Sequence, residues 1–472
     1  MLTAQEVAAE VLVIVEEEVV SAKEAIKKVI GWLSRRHPEL LDFRVRGSVH
    51  AYVMETLKRM NTIDFLADLC LRGKRMKELN PLLRNLIRIG LYEMLYHDVH
   101  PALATDSAVR IAKKRLGKGA ASLVNAIMRR AEKIDLEREI KKLNLTKRVA
   151  LKYHHPEWYV RFAFRLLGRD EAIKLMLANM KSTTYVRVNE LRASVESVRG
   201  YLEKFCDVKE TPLPYVFRVE NWEKHPSALE WHEKGKYVVQ DLASALSAHL
   251  LSPEPGDFVV DLAAAPGIKT SQLAMLMENR GRIVAVDNSP ERLERMRAKM
   301  KQLGVKIVDC VLGDGATFRT SKRADCVLLD PPCSSTGALR NYPCVKWRFD
   351  EKKYISTIWL QKKMLKNALS LGERVLYSTC SITFDENEGN LSDFEDYVSR
   401  VKVRNIRGFE GWRGCGIREF EGRRFGKWKE VVRLWPHVHD CCGFFISLLR
   451  GTAEVDMRSR QSEKASRKTR KS

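Results

Sequence analysis

No run of apolar residues in this 472-residue chain approaches the roughly 18 needed to span a bilayer. Its opening stretch, MLTAQEVAAEVLVIVEEEVV, carries acids where a secretion signal carries bases. A cytoplasmic protein is therefore expected. The ten cysteines follow no disulfide framework; Cys441 and Cys442 are adjacent and lack a CxxC companion, so reduced thiols are expected and no metal site. There is no GxGxxG and no Walker lysine-serine pattern, which argues against a dinucleotide or ATP as the ligand. Acids are in deficit: 60 Asp and Glu face 83 Lys and Arg, for a formal charge of +23. An excess of that size favours a polyanionic partner, nucleic acid or an anionic membrane surface.

Hydrophobic residues make up 45% and charged residues 30% of the chain, enough to bury sizeable cores, and the length suggests about three domains. Residues 1–145 contain few Gly or Pro and repeat apolar residues at helical spacing, which predicts an all-α domain. A capping box at Ser21 and Glu24 marks one helix start. The stretch Ser107 to Arg130 sets an apolar face against Lys113, Lys114, Arg115, Lys118, Arg129 and Arg130, which reads either as a solvated face or as a phosphate-binding surface. Over 150–235, TTYVRVNEL and YVFRVEN read as strands around the helical SVESVRGYLEKF, a small α+β linker domain that serves as an RNA platform or a structural bridge. Residues 236–450 repeat strand, loop and helix, the pattern of a doubly wound, Rossmann-like α/β sheet, with a helix from Pro290 capped by Ser289 and closed by Gly304. The end, 451–472, reads as a disordered basic tail.

Ligands of doubly wound sheets sit at the carboxyl ends of the strands, so the residues ending each strand are the first candidates. Asp261 closes the first, followed by the small-residue loop Ala263, Ala264, Ala265, Pro266, Gly267, Ile268, Lys269. Asp287 closes the second, where a carboxylate accepts ribose hydroxyls, with Arg292 on the helix behind it. Asp314 follows the third, suited to an adenine amino group, and Asp330 closes the fourth. S-adenosylmethionine fits these positions.

Two thiols stand beside these aspartates. Asp330-Pro331-Pro332-Cys333 has a cysteine where amino-group methyltransferases have the aromatic residue of D-P-P-Y, and Tyr377-Ser378-Thr379-Cys380-Ser381 ends the next strand with a second. Carbon 5 of cytosine is a poor nucleophile, and a thiolate that adds to carbon 6 activates it. Either thiol is a candidate for this addition, Asp330 is the candidate carboxyl for ring nitrogen 3, and Lys269 or nearby helix N-termini the source of a lowered thiol pKa.

In AVRIAKKRLGKGAASLVNAIMRR, YHHPEWYVRFAF, VVQDLASAL, DLAAAPGIKT, DPPCSSTG, YSTCS and CGFFISLLR the chain resembles the Sun/Nop family of RNA cytosine-5 methyltransferases, in the small-subunit ribosomal RNA form with a NusB-like helical domain in front. The resemblance implies that Cys380 attacks carbon 6, that Cys333 assists release, and that Ala263 to Lys269, Asp287, Asp314 and Asp330 contact the cofactor. It also implies that 1–145 is a NusB-like RNA-binding domain and that the partner is RNA, ribosomal or transfer; a monomer is expected. Ile268 stands where the family usually has a second glycine, and its branched side chain is expected to crowd the loop; Cys441 and Cys442 replace a small polar or acidic pair and receive no role. Two other readings compete: amino-group methylation on the same fold, and an RNA-binding scaffold whose methyltransferase domain is vestigial.

Overall fold

The computed structural model describes residues 2–18, 20–401, 406 and 416–453. The basic tail expected over 451–472 lies, from residue 454 onward, outside the described residues. The chain divides into two compact units: one comprises residues 1–181 with 339–348, the other 182–338 with the remainder. Among the described residues no helix is long and apolar enough to cross a membrane.

The first unit is helical. Its opening helices, Ala4–Glu18, Ala22–Leu33, Phe43–Cys70, Pro81–Tyr96, Pro101–Leu116 and Lys118–Ala131, surround one core that includes Val7, Leu12, Val53, Leu57, Leu66 and Ile127. Ser21 caps the second helix by accepting from the Glu24 N–H at 3.2 Å, as the capping box predicts. The basic stretch from Ser107 is interrupted at Gly117 and belongs to two helices. Part of its charge is spent internally: Lys114 and Arg115 pair with the buried Glu6, and Arg130 donates to the Cys70 carbonyl. Helices continue beyond residue 145, through Glu157–Leu167 and Arg169–Met180, and the first strand begins only at Thr184. Apolar residues at helical spacing such as Tyr159, Val160 and Ala163 are fully buried there, and Asn61 on the long third helix donates to the carbonyls of Ala150 and His155. Ten residues from far along the chain, Leu339–Arg348, complete this unit. Cys344 joins its core, and Lys346, fully buried, donates its ammonium to the carbonyls of His154 (3.0 Å) and Lys58 (3.3 Å). Burial and the neighbouring cations push its pKa well down.

The second unit holds two main sheets. Strands β1 (Thr184–Val188), β2 (Asp207–Glu210), β3 (Val216–Glu220) and β4 (Tyr237–Val239) form a small antiparallel sheet in the order β2-β3-β1-β4. The large sheet contains β5 (Phe258–Asp261), β6 (Arg282–Asp287), β7 (Val308–Leu312), β8 (Ala324–Leu329), β9 (Gly372–Thr379), β10 (Val398–Ser399), β13 (Val432–Leu434) and β14 (Phe444–Arg450). β11 (Glu419–Phe420) and β12 (Arg423–Arg424) make a separate ribbon. The order is β10-β14-β9-β8-β5-β6-β7, with β13 also paired to β14; β5 to β9 run parallel and β14 antiparallel to β9. After β7 the chain crosses to the far side of β5, so the strand order reverses between β5 and β8. That switch point opens a crevice at the carboxyl ends of both strands. The strands there are near-continuous apolar runs because helices cover both faces; Val259, Val260, Val327 and Leu328 are fully buried.

The loop after β9 is built on buried charge. Glu388 and Arg433, 0% and 1% exposed at their side chains, form a two-point pair in which Arg433 Nε donates to Oε1 at 2.7 Å. The remaining Arg433 donors reach the carbonyls of Ile382 and Thr383 at 3.0 and 3.1 Å, and the Ile417 N–H also donates to Glu388. Replacing one partner leaves the other charge buried and unmatched. Arg433→Met is therefore expected to destabilise this unit by about 3–5 kcal/mol, measured as a fall in the urea midpoint of its unfolding transition, whereas the exposed Arg424→Met is expected to change that midpoint little.

Candidate active site

The residues singled out at the strand ends converge. Lys269 lies in the first turn of the helix Ile268–Leu276 that follows β5, and Asp330 follows β8 directly. The Lys269 ammonium forms an ion pair with Asp330 Oδ2, and Ser378 on β9 donates to Oδ1 of the same carboxylate at 3.1 Å. Asp330 thus ties three successive parts of the crevice together. Burial acts to lower the Lys269 pKa, but the Asp330 charge outweighs it and holds the ammonium above its usual range.

The two thiols meet beside this pair. Cys333 Sγ and Cys380 Sγ are 3.4 Å apart, and Ser335 Oγ lies 3.3 Å from Cys380 Sγ and 4.0 Å from Cys333 Sγ. Their electrostatics diverge. The hydrogen bond from Cys333, the Ser335 hydroxyl and the Lys269 charge pull the Cys380 thiol down despite burial and Asp330. The same hydrogen bond, burial and the carboxylates of Glu386 and Asp330 push Cys333 well up. Of the two sulfurs, Cys380 is the one whose pKa is lowered, chiefly by the Cys333 hydrogen bond, with Lys269 among the smaller causes.

The small-residue loop turns back to the second strand. Ala265 N–H donates to Asp287 Oδ2 and Ser289 N–H to Oδ1, both at 3.1 Å; Arg292 sits 3.4 Å from Asp287 and also donates to the Ala265 carbonyl. Gly267 has φ +89, and a β carbon on it would sit 2.7 Å from Met300 and 2.9 Å from Met296, so both the conformation and the space demand glycine. Ile268 is the first residue of the helix, in ordinary helical conformation, and is half-buried. The left-handed position that a branched side chain could not occupy is its neighbour's. The Gly313 N–H donates to the Asp287 carbonyl at 3.1 Å, which sets the loop after β7 beside the second strand end. Asp314 in that loop is exposed and caps the Ala316 N–H at 2.9 Å, bonded to none of the other candidate residues.

Asp261 is the most deeply buried of the set. Thr270 donates to its Oδ2 at 2.7 Å while Oδ1 is buried with no hydrogen-bond partner. Burial, with help from the nearby Asp330, pushes its carboxyl up to about 7. An orphaned acceptor at the base of a loop with bare backbone, next to carboxylates on adjoining strand ends, fits a ligand that brings its own donors, such as an amino or hydroxyl group.

Four supports escaped the sequence reading: Ser335, Gln361, Glu386 and the glycine pair Gly337 and Gly443. Glu386, fully buried, accepts from the Ser334 N–H (2.7 Å), the Ser334 and Thr383 hydroxyls and Gln361, and Gln361 also donates to the Pro332 carbonyl (2.8 Å). The loop that carries Cys333 is held by this one carboxylate. Gly337 N–H donates to the Cys380 carbonyl, and Gly443 N–H to the Gly337 carbonyl, at 2.9 and 2.8 Å; a β carbon on Gly337 would lie 2.1 Å from the Gly443 oxygen. Glu386 lies in the polar run DENEGN (385–390) in the loop after β9, of residue types that ordinarily face solvent, so nothing local marked it as buried. The Cys442 N–H bonds to the Asp241 carboxylate at 3.2 Å, and both adjacent cysteines are buried.

The 16S rRNA methyltransferase RsmB/F model matches residues 248–450, and the NusB family model matches residues 2–133. A Coxiella burnetii protein named probable ribosomal RNA small subunit methyltransferase B is 31% identical over 342 residues, 68% of this chain and 77% of its own. This chain belongs to the RsmB/F methyltransferase family. A Synechocystis protein of the same name is 28% identical over 412 residues, 84% of this chain and 89% of its own. The crystal structure of PH0851 superposes with TM-score 0.77 at 26% identity, over 95% of this chain and 99% of that one. The helical domain followed by a Rossmann-like methyltransferase domain is thus the family's arrangement.

The raised Asp261 pKa has a consequence for stability. A carboxyl whose folded pKa (about 7) exceeds its unfolded value of about 3.9 binds its proton more tightly when folded. Its contribution is complete below pH 4 and is lost as pH rises through 7. Without cofactor, Asp261→Asn is expected to unfold at higher urea than the parent at pH 8, with the gap closing toward pH 5. A gap independent of pH would show that Asp261 is already ionised at neutral pH.

Proposed function

We propose that this RsmB/F methyltransferase transfers a methyl group from S-adenosylmethionine to carbon 5 of a cytosine in RNA, most simply small-subunit ribosomal RNA, with Cys380 as nucleophile. The observation that carries this reading is the sulfur pair, 3.4 Å apart, of which Cys380 is lowered and Cys333 raised. An amino-group methyltransferase has no use for a thiolate at this position.

The residues that would hold the cofactor are the loop Ala263 to Lys269, Asp261, Asp287 with Arg292, Asp314 and Asp330. Asp287 keeps acceptor capacity after its two backbone bonds, since an ionised carboxylate has about four lone-pair sites. When bound, S-adenosylmethionine supplies an electrophilic methyl on a sulfonium.

The chain's own residues do the rest. The Cys380 thiolate adds to carbon 6 of the base, forming a carbon–sulfur bond and making carbon 5 enamine-like. Asp330, paired with Lys269, is assigned to ring nitrogen 3, where a held proton stabilises the adduct. After methyl transfer the carbon 5 proton passes to water, its electron pair re-forms the carbon 5–carbon 6 double bond, and the carbon 6–sulfur bond breaks to return the Cys380 thiolate. Cys333, kept as a thiol, donates a hydrogen bond to the departing sulfur and eases its expulsion. The base must leave its stack to reach these groups, so an unpaired cytosine is the expected target. Residues matching the NusB family are assigned to RNA binding, as the names of relatives acting on ribosomal RNA support.

Cys380→Ala is expected to reduce methylation by on the order of a thousandfold or more, whereas Cys333→Ala is expected to accumulate covalent protein–RNA adduct, seen as a band stable in denaturing gels. Release of tritium from RNA labelled at cytosine carbon 5 tests the position, because methylation of an amino group expels none. Full activity in Cys380→Ala would sink the mechanism. Bisulfite sequencing of ribosomal and transfer RNA from a deletion strain assigns the RNA.

A further inference from the structure

A cavity of about 550 Å³ lies in the helical unit, where three helix ends meet. Its walls come from the start of Ala4–Glu18, the end of Ala22–Leu33 with the turn after it, and the end of Pro101–Leu116. The size lies within the 300–1,000 Å³ range of small-ligand clefts. Its base is apolar, with Leu2, Val7 and Leu33, and its rim is cationic.

Trp32 lines this cavity while remaining 66% exposed, among the most exposed large apolar side chains of the described residues. An indole left in water beside a concave apolar surface offers a stacking face. Arg35 and Arg36, in the turn directly after that helix, also line it; both are exposed and neither guanidinium has an ion-pair or hydrogen-bond partner among the described residues. Across the cavity, Lys114 and Arg115 are held in place by the almost fully buried Glu6. Four cationic side chains thus face two carboxylates, Glu6 and Glu10, both already engaged with Arg115. Cations after a helix C-terminus also complement the helix dipole, but the dipole gives no account of a solvent-facing tryptophan at the mouth of a cavity.

We propose that this cavity takes an unpaired RNA nucleotide, its base stacked on Trp32 and its flanking phosphates paired with Arg35 and Arg36. Every base has a π face and every linkage a charge, so such a site selects single strands over duplex and tolerates sequence variation. It lies in the helical unit and uses none of the residues assigned to catalysis, so it acts as an anchor for RNA whose target cytosine is elsewhere. The proposal rests on the reading that this protein's substrate is RNA. An acidic protein segment is the competing occupant, which the rigid aromatic face favours less.

The test uses the full-length protein and fluorescein-labelled oligouridylate, with a duplex of the same length as comparison, read by anisotropy. The parent is expected to prefer the single strand. Trp32→Ala and the double variant Arg35→Ala/Arg36→Ala are each expected to bind it about tenfold more weakly, and Trp32→Phe to retain most of the affinity. In methylation assays the same variants are expected to raise KM for RNA and leave kcat unchanged. Replacing uridines by 5-iodouridine and irradiating is expected to cross-link Trp32, identified by mass spectrometry. Trp32 is exposed, so its variants are expected to melt with the parent. Equal oligouridylate affinity in the parent and Trp32→Ala, or cross-links confined to other residues, overturns the site, as does loss of an acidic peptide's binding with RNA affinity intact. The binding and cross-linking readouts do not depend on methyl transfer, so failure of the catalytic reading is seen separately in the Cys380 assays.

Discussion

The ion pair of Lys269 with Asp330 is the interaction on which the crevice depends. The Lys269 ammonium, largely shielded from solvent, is matched by the Asp330 carboxylate, which is shared with Ser378, so the helix after β5, the turn after β8 and the end of β9 are held by a single group. That arrangement fixes a positive charge beside Cys380, the sulfur that benefits from it. It also restrains the Pro331-Pro332-Cys333 turn from one side while Glu386 holds it from the other.

The resulting site is asymmetric in a way that its two chemically identical thiols do not suggest. The hydrogen bond between the sulfurs shifts them apart: with burial and the Glu386 and Asp330 carboxylates it raises the pKa of Cys333, and with the Ser335 hydroxyl and the Lys269 ammonium it lowers that of Cys380. The Asp330 charge itself raises both. The rigidity behind this separation comes from close backbone contact, through Gly337, Gly443 and the Cys380 carbonyl, and from the enclosed pair Glu388 and Arg433, which holds the Ile382 and Thr383 carbonyls in the loop after β9.

Much of the site was legible because strand ends are marked in sequence. An apolar run that stops at an aspartate and a small-residue turn announces both the strand and its ligand-facing edge, and Asp261, Asp287 and Asp330 were found that way. Their supports were not legible, because Glu386, Gln361 and Arg433 carry polar side chains of kinds that ordinarily face solvent, and nothing local distinguishes a buried, fully bonded carboxylate from an exposed one. Arg292, placed behind Asp287 by position along its helix, does stand 3.4 Å from it. Asp314 shows the reverse: the pattern names it, and the structure connects it to the other candidates only through its neighbour Gly313.

The sequence by itself determined the order of helical and α/β parts, the strand ends that bear the reactive groups, and the two cysteines, since these follow from local periodicity and from motif chemistry. Tertiary structure alone decided where the units divide. Leu339–Arg348 follows the Cys333 turn in sequence yet completes the helical unit, where the Lys346 side chain meets the carbonyls of Lys58 and His154. Tertiary structure also decided which thiol has the lower pKa and which glycine must stay bare. Local pattern cannot report either, because pKa and steric room are set by groups brought close from distant parts of the chain.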